Sequence, residues 1–140
     1  MNYSELEEKL GKQTKADWHQ ASGGGWIHKN AKVENEDNIR DNAIVMGNAK
    51  VFGNAKVFGN AKVSGDAEVT DNAKVFGNAK VYGDAMVTGD ARVYDDAWIS
   101  GNVWVTGNAL VYDDAQVYGN ARVSGNARVS GNAKVSGNKE

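Results

Sequence analysis

From Ile27 to Val135 an aliphatic residue stands at every sixth position without a slip of register: Ile27, Val33, Ile39, Val45, Val51 and onward to Val123, Val129 and Val135. Alanine precedes most of them by two residues. Gly-Asn, Gly-Asp, Asp-Asn or Asp-Asp separates most successive units, so the repeat reads Ala-x-Val-x-Gly-Asn. The alternation of a strand sends Ala49 and Val51 to one side and Lys50 and Phe52 to the other. The corner pair then supplies two residue types that tolerate positive φ, and the chain turns. Four strand residues and two corner residues make one flat side. Three sides close a triangular coil of eighteen residues, and successive coils stack at roughly 4.8 Å with valine filling the prism and alanine fitting where it narrows. A pentapeptide solenoid would need a step of five, and a calcium-binding β-roll a step of nine. A helix would carry its apolar face at 3.6 residues and would lose about 1 kcal/mol at each recurring glycine. An antiparallel meander fits poorly, because the corner order is Gly-Asn and the strands are short.

The repeated unit resembles the hexapeptide-repeat family of left-handed parallel β-helices, over residues 26–138. The resemblance implies an all-β solenoid, a left-handed parallel β-helix of about six triangular coils with a short N-terminal helical cap. That family includes trimeric acyltransferases and γ-class carbonic anhydrases as well as many uncharacterised members. Gly24-Gly25-Trp26-Ile27, followed by regular Gly-Asn-Ala-x-Val units, is similar to a group of uncharacterised bacterial and bacteriophage hexapeptide-repeat proteins. That group brings no known chemistry with it.

Residues 1–25 lie outside the period and divide the chain into a cap and joint, 1–25, and a β-helix, 26–140. Ser4 followed by Glu7 is a capping-box pattern, and Leu6 and Leu10 share a helical face, so a helix is expected from residue 4 to about 16. Ala21-Ser22-Gly23-Gly24-Gly25 reads as a flexible joint that sets the helix and Trp18 over the open end of the first coil. At the other end Ser136 to Glu140 stop within the repeat, which leaves end-to-end stacking open.

Composition changes the picture only a little. Seventeen glycines with no proline and no cysteine suit a chain that turns by glycine and needs no disulfides. The acidic opening Met1 to Glu8 has no apolar run, so neither a secretory signal nor a membrane span is expected, and the cytoplasm is the expected compartment. A formal net charge of -2 argues against global attraction to nucleic acid or acidic membranes.

Catalytic chemistry is sparse. The resemblance implies, for an acyltransferase, a histidine beside a loop that interrupts the coils, and this period has no interruption. His19 and His28 read as ordinary surface or cap residues, and three zinc-binding histidines are not present in one chain. Nucleophile-elbow and phosphate-loop motifs are absent. A non-enzyme without a cofactor is therefore expected.

The informative residues are those that stack eighteen apart. One outward column runs Arg40, Phe58, Phe76, Tyr94, Tyr112, Ser130, beside Asn38, Lys56, Lys74, Arg92, Leu110, Arg128. An aromatic strip beside a basic one is read first as a self-association surface, next as rungs stacked on one another, and third as a platform for single-stranded nucleic acid or glycan. A second column carries Thr70, Thr88 and Thr106, yet Glu68, Met86 and Trp104 beside it break the flat threonine array that ice binding needs. Trp98, Trp104 and Leu110 replace the usual cation on three successive sides and form an apolar belt for a partner. Asp95-Asp96 and Asp113-Asp114 fall on one edge, where four carboxylates either tolerate their repulsion or hold a structural Ca²⁺. The sequence thus predicts a self-associating structural or interaction module that presents a rigid repeat surface. A trimeric hexapeptide-type acyltransferase and a phage-type binder of a host macromolecule are the alternatives.

Overall fold

The computed structural model describes residues 1–139, so the reading of Glu140 as part of the solenoid end lies outside the described residues. The chain forms a parallel β-solenoid of about six coils, with three faces built from strands mostly two residues long. Face one contains the strands at Trp26–His28, Ile44–Val45, Lys62–Val63, Lys80–Val81, Trp98–Ile99, Gln116–Val117 and Lys134–Val135. Face two runs from Lys32–Val33 to Asn138–Lys139, and face three from Lys56–Val57 to Arg128–Val129. Register partners are eighteen residues apart through nearly the whole stack, as in Val81 with Val63 and Ile99. The last rung departs from this, because Arg122 pairs with Asn138.

The interior is the predicted one. Ala61, Val63, Ala79, Val81, Ala97 and Ile99 are all fully buried, and Val103 takes an alanine position without losing burial. Each strand contributes few backbone bonds, but every coil repeats them in the same sense: Lys56 N–H donates to the Ala73 carbonyl, Phe58 N–H to Val75 and Asn60 N–H to Gly77, all at 2.7–3.0 Å. Backbone amides are therefore paired along the stack, and cohesion grows coil by coil.

The corners differ from expectation in one respect. Only the first corner residue is left-handed: Gly59 and Gly77 have φ of 67° and 65°, and aspartates in that place, Asp41, Asp71, Asp95 and Asp113, have φ of 57–59°. The second corner residue does not need positive φ. Its asparagine serves instead in ladders, with Asn42 Nδ2 donating to Asn60 Oδ1 at 3.2 Å and Asn60 Nδ2 to Asn78 Oδ1 at 3.1 Å.

The N-terminal segment also corrects the expectation. Helix α1 spans Tyr3–Leu10, not residues 4 to 16, and its capping box is Asn2 with Glu5, not Ser4 with Glu7. Gly11 ends it at φ 82°. Starting at Tyr3 aligns Tyr3, Leu6 and Leu10 on one side, and Leu6 is fully buried in a cluster with Trp18, Trp26 and Ile44. Trp26, Ile44 and Met46 are outward residues of face one, so the helix lies against the side of the first coils and not over their open end. The open edge is covered by strand β1 (Trp18–Gln20), which pairs antiparallel with β2 (Trp26–His28).

The glycine-rich stretch between these strands is a packed hairpin loop and not a flexible joint. Ala21 N–H donates to Gly25 O at 2.7 Å, Gly24 N–H to Ala21 O at 2.9 Å and Gly25 N–H to Ile39 O at 2.9 Å. A Cβ on Gly23 would stand 2.6 Å from the carbonyl oxygens of Asp37 and Ile39, which is why glycine is needed there. No helix among the described residues is long and apolar enough to cross a membrane.

Candidate functional site

Face three carries the aromatic column, and the short strands set it. Each outward residue after a core valine lies over its counterpart in the next coil, since Val57, Val75, Val93, Val111 and Val129 pair in sequence. The rings follow the backbone. Phe58 and Phe76 stack with centroids 4.8 Å apart and planes 1° apart, Phe76 and Tyr94 at 5.0 Å and 4°, Tyr94 and Tyr112 at 5.1 Å and 4°. Ring spacing thus follows the strand spacing of a sheet, about 4.7–4.9 Å, within a few tenths of an ångström, and the near-parallel planes show that the four side chains repeat one orientation from coil to coil. Their faces are turned to one another and their edges to solvent. All four remain half-buried.

Two charged borders flank this strip. Lys56, Lys74 and Arg92 stand two residues before Phe58, Phe76 and Tyr94; Leu110 takes that place before Tyr112, and Arg128 resumes the row before Ser130. Beyond the rings, Asp95, Asp96, Asp113 and Asp114 line a shallow edge groove of about 500 Å³ with Gly77, Asn78, Gly131 and Asn132. Burial pushes the Tyr94 phenol above its ordinary pKa, with smaller contributions from Tyr112 and Asp95, while Arg128 pulls the other way.

The edge carboxylates have an employment that sequence reasoning missed. Asp95 Oδ2 accepts the backbone N–H of Asp113 at 3.2 Å, and Asp113 Oδ2 accepts that of Gly131 at 3.0 Å. Asp41 does the same for Gly59 and Asp71 for Gly89. The first corner amide points away from the coil-to-coil ladder, and a left-handed aspartate eighteen residues earlier gives it an acceptor. Among the described residues no group of three or more His, Asp or Glu side chains is gathered to hold a metal ion. The signal in the sequence was the aspartate in a glycine position at Asp41, Asp71, Asp95 and Asp113.

The apolar belt is divided among the faces. Trp98 lies on face one, Trp104 on face two and Leu110 on face three. Trp98 is 41% exposed with Lys80 Nζ 5.2 Å from its ring centroid and Tyr82 edge-on at 6.5 Å; Trp104 is 44% exposed beneath the Arg122 guanidinium at 4.6 Å. Each indole is thus partly covered by a cation from a neighbouring coil. The two indoles flank the Gly101-Asn102 corner from different faces.

The histidines are separate. His19 Nε2 is 2.9 Å from Glu36 Oε2 in an exposed contact, whereas His28 lies edge-on to Trp18 at 5.0 Å. In the β1–β2 pairing His19 faces Ile27 and His28 faces Trp18, so alternation sends the two imidazoles to opposite sides.

Residues 79–95 and 115–131 match the family described as YdcK beta solenoid repeat. Both stretches begin one residue before a face-one strand, Lys80–Val81 or Gln116–Val117, and end at the edge that holds Asp95 or Gly131. They are 36 residues apart (115 − 79 = 36), two coils of the eighteen-residue register. This likeness and the solenoid together support a repeat β-helix family. No curated protein matches the chain.

Proposed function

We propose that this chain is a non-enzymatic structural and interaction module, a rigid solenoid that self-associates through face three. The supporting observation is the unbroken column of Phe58, Phe76, Tyr94 and Tyr112. Contiguous aromatic strips with charged borders are characteristic of protein interfaces, where ring edges pack in the centre and ions stand at the rim. The ring faces are occupied by one another, so a nucleobase has no free ring face within the column to stack on. That weighs against a single-stranded nucleic acid. Light scattering at micromolar concentration tests the reading: a mass above one chain is expected, falling to one chain in Phe76→Ser with Tyr94→Ser. A wild-type monomer sinks it.

A second reading rests on Trp98 and Trp104, which stay exposed where most coils carry a cation. A partner clasping the Gly101-Asn102 edge would meet both indoles, in the manner of a host macromolecule held by a repeat surface. Catalysis of the acyltransferase kind has less support, because His19 and His28 diverge and the coils run from residue 26 to 135 without an inserted loop. Loss of a wild-type partner in pull-down by Trp98→Ala with Trp104→Ala supports the second reading; equal recovery removes it.

A further inference from the structure

We infer that face three pairs with a second copy of itself about a two-fold axis running parallel to the solenoid, along the aromatic column; this rests on the self-association proposed above. The argument is one of spacing and sign. In the coil containing Tyr94, Arg92 stands two residues before the ring and Asp96 two residues after it. A two-fold axis along the ring column exchanges these two positions, so Arg92 of each copy faces Asp96 of the other at the same level. One coil on, the same exchange sets Asp114 of one copy opposite Leu110 of the other, with that copy's Arg128 one rung further along the stack. Among the described residues these two arginines and two aspartates have no ion-pair partner within the chain.

The alternative two-fold, perpendicular to the solenoid and across the face, gives the opposite result. It lays each column on the same column of the partner, basic row on basic row and acid edge on acid edge. Like charges brought together at an interface oppose association, whereas the parallel arrangement sets Arg92 against Asp96 and the remaining cations of the basic row against neutral corner asparagines, around packed ring edges. The edge groove beside Asp95, Asp96, Asp113 and Asp114 leaves room for the partner's guanidinium groups.

The chain has no cysteine, so crosslinks report this geometry directly. Ser130 ends the ring column at one extremity and Arg40 at the other. In the parallel pair Ser130 meets its own copy, so Ser130→Cys alone is expected to form a covalent dimer on mild oxidation, and a mixture with Arg40→Cys gives no mixed species. Asp96→Lys with Asp114→Lys is expected to weaken the dimer about tenfold or more, and adding Arg92→Glu with Arg128→Glu to recover it. Circular dichroism of each variant verifies the solenoid. A mixed Arg40→Cys and Ser130→Cys species, a mass of three chains, or no recovery by the fourfold reversal overturns the parallel pair while leaving self-association intact. A wild-type monomer overturns both.

Discussion

The carboxylate of Asp95 accepts the backbone N–H of Asp113 at 3.2 Å, one coil away, while Asp95 itself holds a left-handed φ of 57°. A single residue thus turns a corner and closes the amide of the next. Asp113 repeats the arrangement toward Gly131. Asp113→Gly removes the acceptor but eases the backbone, so a net loss under about 1 kcal/mol is expected. Asp113→Ala also removes the acceptor but keeps the L side chain at positive φ, so it is expected to be less stable than Asp113→Gly by roughly 1–2 kcal/mol. Urea denaturation distinguishes them: equal midpoints for the two variants would deny the corner its dual role.

Calcium offers a related check. The Asp95 and Asp113 carboxylates already cap amides, and no gathered metal-ligand group occurs among the described residues. Millimolar Ca²⁺ is therefore expected to leave the melting temperature unchanged. A rise that Asp95→Asn with Asp113→Asn abolishes would instead reveal cation binding.

The interior tolerates little. Val81 is fully buried between paired rungs. Val81→Ala is expected to cost about 2 kcal/mol from lost methyl burial and the residual void. Val81→Asp places a carboxylate where no donor awaits it and should abolish the cooperative β signal in circular dichroism. A stable, folded Val81→Asp protein would contradict the packed prism.

Corner glycines should differ according to what stands next to them. A Cβ on Gly83 would lie 2.6 Å from the Gly101 nitrogen, whereas one on Gly125 meets nothing within 4 Å. Both have positive φ, 70° and 62°. Gly125→Ala should therefore lose only the left-handed penalty of roughly 1–2 kcal/mol, and Gly83→Ala distinctly more, because backbone must move. Thermal melts that rank them in the reverse order would count against the tight stacking at Gly83.

Alkaline stability should reflect the ring column. The Tyr94 phenol has its pKa raised, chiefly by burial, then by Tyr112 and Asp95. The folded chain holds that proton more firmly than the unfolded chain, so its contribution is complete below about pH 10 and declines as pH rises through the folded value. Ultraviolet titration should find Tyr3 and Tyr94 ionising late, with only the Tyr3 signal left in Tyr94→Phe, and Tyr94→Phe should flatten the loss of stability above pH 10. A wild-type profile unchanged by Tyr94→Phe would remove this coupling.

By itself the sequence determined the six-residue period, the inward set of alanine and valine, and the membership of each outward column. Those follow from strand alternation and a fixed corner length, which are local and repeat without slip. Phe58 and Phe76 could be placed on one column from their numbers alone. Tertiary structure decided what the columns do. The parallel stacking of those rings depends on a shared orientation at sheet spacing, and the aspartate and asparagine bonds at the corners exist only between coils. The N-terminus illustrates the same division. Asn2 with Glu5 and Ser4 with Glu7 offer equivalent local capping patterns, and the choice falls to docking: Leu6 enters the Trp18, Trp26 and Ile44 cluster, while Trp26 Nε1 donates to the Met1 carbonyl at 2.9 Å. Local propensity leaves such alternatives close in energy, so burial against a distant face selects between them.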